Sequence, residues 1–430
     1  MAAHGRRSLV TALQHTVLRR TFQTSSEAGV LQRLPSFYES TIEEYAQREQ
    51  HGMTLGQLKK FGKSRFADKD KATKRLLQSA RFVQRELPIR LARRLMDLQA
   101  LPHIFVTNPH ISSVYESYWS AFEELRLLPE SRTLDDEATL SSVLERLVED
   151  HSAVITRLAI GLREVREKPI VGRMIDMDRF LDDMLTSRVA RRILAENHIA
   201  FHRAVKAHHQ EGGSDDDGDD DDFVGVVNTR LRVKAAIESA AEQATDACAR
   251  ALGEAPRIEV SCSDSLLLSY VPVHLHYVLV EVLKNSCRAT VEQARNERGK
   301  LAPVEVRVRK DKAQGITNML VLDEGSGLRE DEVDRAFTYG WTTAIQPRPR
   351  QSSMLDAIGG DGGGVGTNAA LLSGDEAPLA GLGFGLPLSR LYCRYFGGDL
   401  KVLPVGLECG TAALIRFRHL SSDTQLYAPL

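Results

Sequence analysis

The chain has little that would staple it or anchor it. Its five cysteines, Cys248, Cys262, Cys287, Cys393 and Cys409, form no Cys-x-x-Cys pair, which argues against a disulfide framework or a zinc site and fits a reducing compartment. No apolar run approaches the roughly 20 residues that a membrane-spanning helix needs. With 56 basic against 58 acidic residues, the formal net charge of −2 offers no global field to nucleic acid or a membrane surface. What remains is a globular composition, 42% hydrophobic and 27% charged, spread over 430 residues. That length exceeds what one core usually serves, so two domains are expected.

The first 26 residues differ from the rest. Arg6, Arg7, Arg19 and Arg20 flank Leu9, Val10, Leu13, Val17 and Leu18, Ser and Thr are frequent, and no acid precedes Glu27. This is the pattern of a mitochondrial transit peptide. Residues 27–210 read as helical. Leu140, Val143, Leu144, Leu147, Val148, Val154, Ile155, Leu158, Leu162 and Val165 recur at steps of three and four, which predicts one helix over 140–165. Similar spacing runs through 71–86, 89–98, 112–128 and 174–205, with Pro88 expected to separate the first two. Four long helical segments with short connections predict a four-helix bundle.

The acidic stretch 211–222 reads as a solvated loop, and beyond it the pattern becomes mixed α/β over 223–420, followed by a tail, 421–430. Helices are expected near 230–252, 273–296 and 384–396. Strands are expected near 257–261, 304–309, 317–322, 399–403 and 411–418. The stretch 343–380 is too rich in Gly, Pro and Ser to hold a regular element.

Three pieces in this second half carry chemistry. In HYVLVEVLKNSCRAT (276–290), Glu281, Asn285 and Arg288 share one helical face, so a carboxylate, an amide and a guanidinium could act as base, magnesium ligand and phosphate partner. In LVLDEGSGL (320–328), an apolar strand ends on Asp323, and Gly325 and Gly327 allow close approach of a planar ligand. In GLGFGLPLSRL (381–391), a glycine-rich loop opens a helix, whose free amide groups suit phosphate.

In this order and spacing the three resemble the N, G1 and G2 boxes of the ATPase family that includes gyrase, the Hsp90 chaperones, histidine kinases and the MutL proteins. With LLQSARFVQRELPIRLARRL (76–95), FLDDMLTSRVARRIL (180–194) and GFGLPLSRLYCRYFGGDL (383–400), the chain is similar to the mitochondrial pyruvate dehydrogenase and branched-chain 2-oxoacid dehydrogenase kinases over nearly all of 70–420. The resemblance implies an N-terminal four-helix bundle for regulation and docking, followed by an α/β-sandwich ATPase domain of the histidine-kinase type. It implies a homodimer that uses ATP and Mg²⁺ in the mitochondrial matrix. The substrate would be a serine of the decarboxylase α subunit of a 2-oxoacid dehydrogenase complex, with the lipoyl-bearing core as docking partner, and neither nucleic acid nor membrane is implied as a partner.

Position by position, the resemblance makes Glu281 the general base, Asn285 the magnesium ligand and Arg288 a neighbour of the phosphates. Asp323 would receive the adenine amine, with Gly325 and Gly327 around the nucleotide and Thr411 late in the adenine site. Thr342 and Thr343 match small residues at the ATP lid. Gly381, Leu382, Gly383, Phe384, Gly385 and Leu386 match the phosphate loop. The lid, 343–380, departs from the family in its Gly and Pro content. His151, with Arg188 and Arg192, matches a pocket for small oxoacid effectors, although a histidine on an apolar face also reads as a plain core residue. Two rivals are a sensor histidine kinase, which needs an exposed phosphoacceptor histidine, and an inactive ATP-binding scaffold. FVGVVNTRL (223–231), LTSR (185–188) and WTTA (341–344) look like the branched-chain enzyme. SRLYCRYFGGDL (389–400) looks like the pyruvate enzymes, while the tail lacks the Asp-Trp pair associated with them.

Overall fold

Apolar periodicity in the first half is satisfied by helices that bury one another. A computed structural model describes residues 40–62, 69–166, 176–210, 222–297, 299–342, 382–405 and 410–427. The expected transit peptide, the acidic stretch up to 221, the lid 343–380 and the last three tail residues lie outside them. The chain runs through α1 (Ser40–Gln47), β1 (Met53–Thr54), α2 (Leu55–Gly62), α3 (Lys69–Gln99), α4 (His103–Val106), α5 (Pro109–Leu127), α6 (Leu134–Asp150), α7 (Val154–Arg166) and α8 (Met177–Gln210). Helix α3 packs on α5, α6 and α8, and α7 packs on α5. The N-termini are set locally. Asn108 accepts from the backbone of His110 and Ile111 ahead of α5, with Pro109 at the first position, and Thr133 and Asp136 form a reciprocal capping box on α6.

Two expectations are corrected here. Pro88 does not divide two helices, because α3 runs through it for 31 residues. Leu87, Pro88, Ile89, Leu91 and Ala92 are all buried, so packing on both sides of the proline outweighs the missing hydrogen bond. The expected helix over 140–165 is broken at His151–Ala153. No glycine or proline marks the break. Instead, the His151 carbonyl accepts from Val154 in a tight turn at 3.3 Å and from Arg188 of α8 at 3.2 Å.

The second half continues with β2 (Phe223–Val224), β3 (Val227–Arg232), α9 (Val233–Leu252), β4 (Ile258–Ser261), β5 (Leu267–Tyr270), α10 (Pro272–Glu297), β6 (Val304–Asp311), β7 (Ile316–Asp323), α11 (Glu330–Arg335), α12 (Gly385–Tyr395), β8 (Asp399–Pro404), β9 (Thr411–Arg418) and β10 (Gln425–Tyr427). The main sheet has the order β4-β6-β7-β9-β8. Its β4–β6 pair is parallel and the others are antiparallel. Helix α10 packs on both α9 and α12, and α12 also meets α8. The apolar core runs unbroken from the helical half into the sheet half, and the described residues from Thr41 onward form one compact unit. Among the described residues no helix is long and apolar enough to cross a membrane.

Candidate functional site

Strand periodicity delivers the central acid. Along β7, Thr317, Met319, Val321 and Asp323 point inward while their neighbours are half-exposed, so Asp323 is the last residue of the buried face. Register sets Asp323 opposite Thr411 on β9, and Asp323 Oδ1 accepts from the backbone of both Thr411 and Gly325, each at 3.1 Å. Burial pushes this carboxyl above the usual carboxylate range, and hydrogen bonds from Gly325, Ser286 and Thr411 offset only part of that rise. Gly325 lies on Ala289 of α10, where a Cβ would come within 2.6 Å of the alanine methyl. Gly327 follows at a φ of 74°.

Helix α10 carries the polar face that its spacing foretold. Val278, Leu279, Val282 and Leu283 are buried, while Asn285 is exposed and Glu281 and Arg288 are half-buried. Glu281 lies against the start of α12, so a Cβ on Gly385 would collide with its Oε2. A side chain at 385 would push the carboxylate out of this position. Its other oxygen, Oε1, accepts from Lys284 Nζ at 2.5 Å. Arg288 donates to Glu292 at 2.7 Å, so in this state its guanidinium is held one turn further along.

The loop ahead of α12 is anchored by its apolar members. Leu382 and Phe384 are buried, and Gly383, at a φ of 72°, presses on the backbone of Trp341. Gly340 donates to the Gly383 carbonyl at 3.0 Å. Leu386 and Thr342 are half-buried, and Thr343 and Gly381 lie outside the described residues. Tyr339, just upstream, is tied to the helical half. Its hydroxyl donates to Asp182 at 2.7 Å, its N–H to Asp178 at 3.3 Å, and its carbonyl accepts from Arg166. Helix α10 therefore meets both elements, the β7 end at Ser286 and Ala289 and the start of α12 at Glu281.

A cavity lies inside the helical half. Leu87, Leu91, Leu144 and Leu147 form its apolar lining, and His151, Arg188, Arg191 and Arg192 contribute its polar part. Burial, and then the charge of Arg191, bring the His151 imidazole down to about 4, so it is neutral at physiological pH. Burial and the neighbouring Arg192 also lower the Arg188 guanidinium. Arg192 lines the cavity but donates to Glu196 at 2.7 Å. His151 sits at the end of α6 rather than on an uninterrupted helical face.

Sequence reasoning passed over Lys284, Ser286, Gly410 and Arg191. Gly410 faces the Asp323 carbonyl so closely that a side chain could not fit, and Arg191 lies 4.3 Å from the Tyr118 ring centre. The i, i+3 spacing of Glu281 and Lys284 was the one available signal. Among the described residues no three His, Cys, Asp or Glu side chains gather into a metal-binding group.

The profile of the mitochondrial branched-chain alpha-ketoacid dehydrogenase kinase family matches residues 52–228. The mitochondrial pyruvate dehydrogenase (acetyl-transferring) kinase of Arabidopsis thaliana is 30% identical over 380 residues, covering 88% of this chain and 93% of that one. This chain belongs to the mitochondrial 2-oxoacid dehydrogenase kinase family. Human pyruvate dehydrogenase kinase isozyme 3, another member, is 29% identical over 397 residues, covering 89% of this chain and 86% of its own. The Schizosaccharomyces pombe kinase is 29% identical over 447 residues, covering 88% and 96%.

Proposed function

We propose that this chain is a protein serine kinase of the mitochondrial matrix that uses Mg-ATP to phosphorylate, and so inactivate, the decarboxylase α subunit of a 2-oxoacid dehydrogenase complex. The observation that carries the reading is the seating of the Glu281 carboxylate on Gly385, at the mouth of the loop that opens α12. A base there is beside the helix N-terminus that would hold phosphate. The serine Oγ–H proton passes to Glu281 as the Oγ–Pγ bond forms and ADP leaves. In such transfers positioning and charge neutralisation dominate, and the base contributes about 10²–10⁴-fold.

The nucleotide lies between β7 and the α12 loop in this reading. Asp323 accepts the adenine amine, which gives a buried carboxylate a partner. Gly325, Gly327 and Thr411 line the base, and Gly381–Leu386 line the phosphates with Thr342, Thr343 and Arg288 at the lid. The exposed carboxamide of Asn285, one turn from Glu281, suits Mg²⁺, a hard cation that takes one or two protein oxygens and otherwise phosphate and water. Bound there, Mg²⁺ would supply neutralisation of the phosphate charge.

The helical region, 27–210, serves as a four-helix docking and regulatory domain for the lipoyl-bearing core, and 223–420 is the catalytic domain of a homodimer. The cavity at His151, Arg188 and Arg192 takes a small 2-oxoacid, its carboxylate against the arginines and its chain against the leucines. The mitochondrial names of the relatives support the location. Incubation with Mg-ATP and each purified decarboxylase, pyruvate or branched-chain, tests the reading. Acid-stable phosphoserine on one α subunit is expected, whereas acid-labile label on the chain itself would favour a sensor kinase and no turnover an inactive scaffold.

A further inference from the structure

Lys284 is the one cation in direct contact with the proposed base among the described residues. Its amine stands 2.5 Å from Glu281 Oε1, and the opposite oxygen of the same carboxylate abuts Gly385. The amine is thus one carboxylate away from the N-terminus of α12. Its side chain is 31% exposed and that of Glu281 is 19% exposed, so solvent reaches the pair. A pair of this kind, three residues apart on one helix, adds little to folding. It does occupy one of the two oxygens through which Glu281 could take a proton.

We infer that Lys284 is a γ-phosphate ligand that closes off Glu281 until ATP arrives. The inference rests on the kinase reading above. With no γ-phosphate present, the amine has one anionic neighbour, and the base is masked. A γ-phosphate held at the α12 N-terminus places a stronger anion within the swing of the four-carbon lysine stem. The amine moves to it, Oε1 is released, and the serine proton has an acceptor only when a transferable phosphoryl group is in place. ADP, which lacks that group, leaves the pair closed.

Calorimetric titration of Mg-ATP and Mg-ADP into the full chain separates this from a merely structural pair. Lys284→Met should weaken ATP by about tenfold, the scale of one charge-assisted hydrogen bond, while ADP stays within about twofold. Lys284→Arg should restore the preference for ATP. Glu281→Gln tests the lock from the other side, since the amine no longer has to leave a carboxylate. It should bind ATP about threefold more tightly than wild type, with ADP unchanged. Equal losses for the two nucleotides in Lys284→Met, or no gain in Glu281→Gln, would overturn the inference and leave the kinase reading standing. Wild-type chain that binds neither nucleotide would overturn both.

Discussion

The two halves of the molecule bury different polar groups. The helical half buries ions: Glu86, Arg90, Arg94, Glu137, Arg188 and Arg191 are all within the core, joined by His198. Small neutral groups are buried in both halves, but the sheet half adds only His274 and a single acid, Asp323, with no buried arginine or lysine among the described residues. Desolvating ions is costly unless each has partners. For Glu137 the partners are internal. Glu137 accepts from Ser141 at 2.8 Å and lies 2.8 Å from His202 and 3.3 Å from His198. Burial pushes its carboxyl up, but hydrogen bonds from His198, His202 and Ser141 outweigh that and bring it down to about 2. In the sheet half, Asp323 goes the other way, because its three donors leave burial dominant. An acid satisfied by its own fold is structural, and one left short of partners is poised for a ligand.

Four substitutions sharpen or break this contrast. Glu281→Gln should have the largest effect, lowering the phosphorylation rate by about 10²–10⁴-fold. Normal turnover in a quenched-flow assay would remove Glu281 from the role of base.

Glu137→Gln comes next and should act on stability alone. A carboxyl brought from 4.5 to about 2 contributes about 3 kcal/mol, present above pH 4.5 and lost as pH falls through about 2. The variant should therefore be less stable than wild type at pH 7, with the difference closing toward pH 2. A constant difference across that range in urea titrations would show that the ionic account is wrong.

Asp323→Ala should cost about 1–3 kcal/mol of ATP binding, or roughly 5- to 150-fold. Because burial holds this carboxyl high, it opposes folding at neutral pH, so the fold should not weaken in step with binding. Equal ATP affinities would end its assignment to the adenine site, provided melting curves show that the variant is folded.

The smallest effect is expected at His151. An acid bound beside it favours the protonated ring, so wild-type affinity for a 2-oxoacid should rise as pH is lowered from 7 toward 4. His151→Gln should lack that slope while losing at most about 1 kcal/mol of binding at pH 7. Matching slopes in the two proteins would exclude the imidazole.

Much of this was legible in sequence where the signal is local. Helices α5, α8, α9, α10 and α12 follow apolar spacing, and β7 and β9 were visible as apolar runs. The face uniting Glu281, Asn285 and Arg288 needed only helical geometry. Features set by distant partners were not legible. The buried surroundings of Pro88 carry α3 through the proline, and Arg188, 37 residues away, takes the carbonyl at which α6 ends. Strands β1, β2 and β10 have two or three residues each, too few for any periodicity. Gly410 is required by the backbone of Asp323, which only the β7–β9 register brings beside it.

The pairing of β1 with β10 sets Met53 opposite Tyr427, so nearly the whole described chain lies between two strands that complete each other. Tyr427 is buried, its hydroxyl reaches the Met53 sulfur at 2.9 Å, and Leu426, also buried, accepts from Tyr395 at 2.8 Å. During synthesis the early strand has no partner until β10 has been made. The helical half can collapse before then, but this edge must stay open, a long-range closure of the kind that slows folding and exposes intermediates. A chain lacking β10 would leave β1 unpaired, although every residue of its proposed catalytic site had been made.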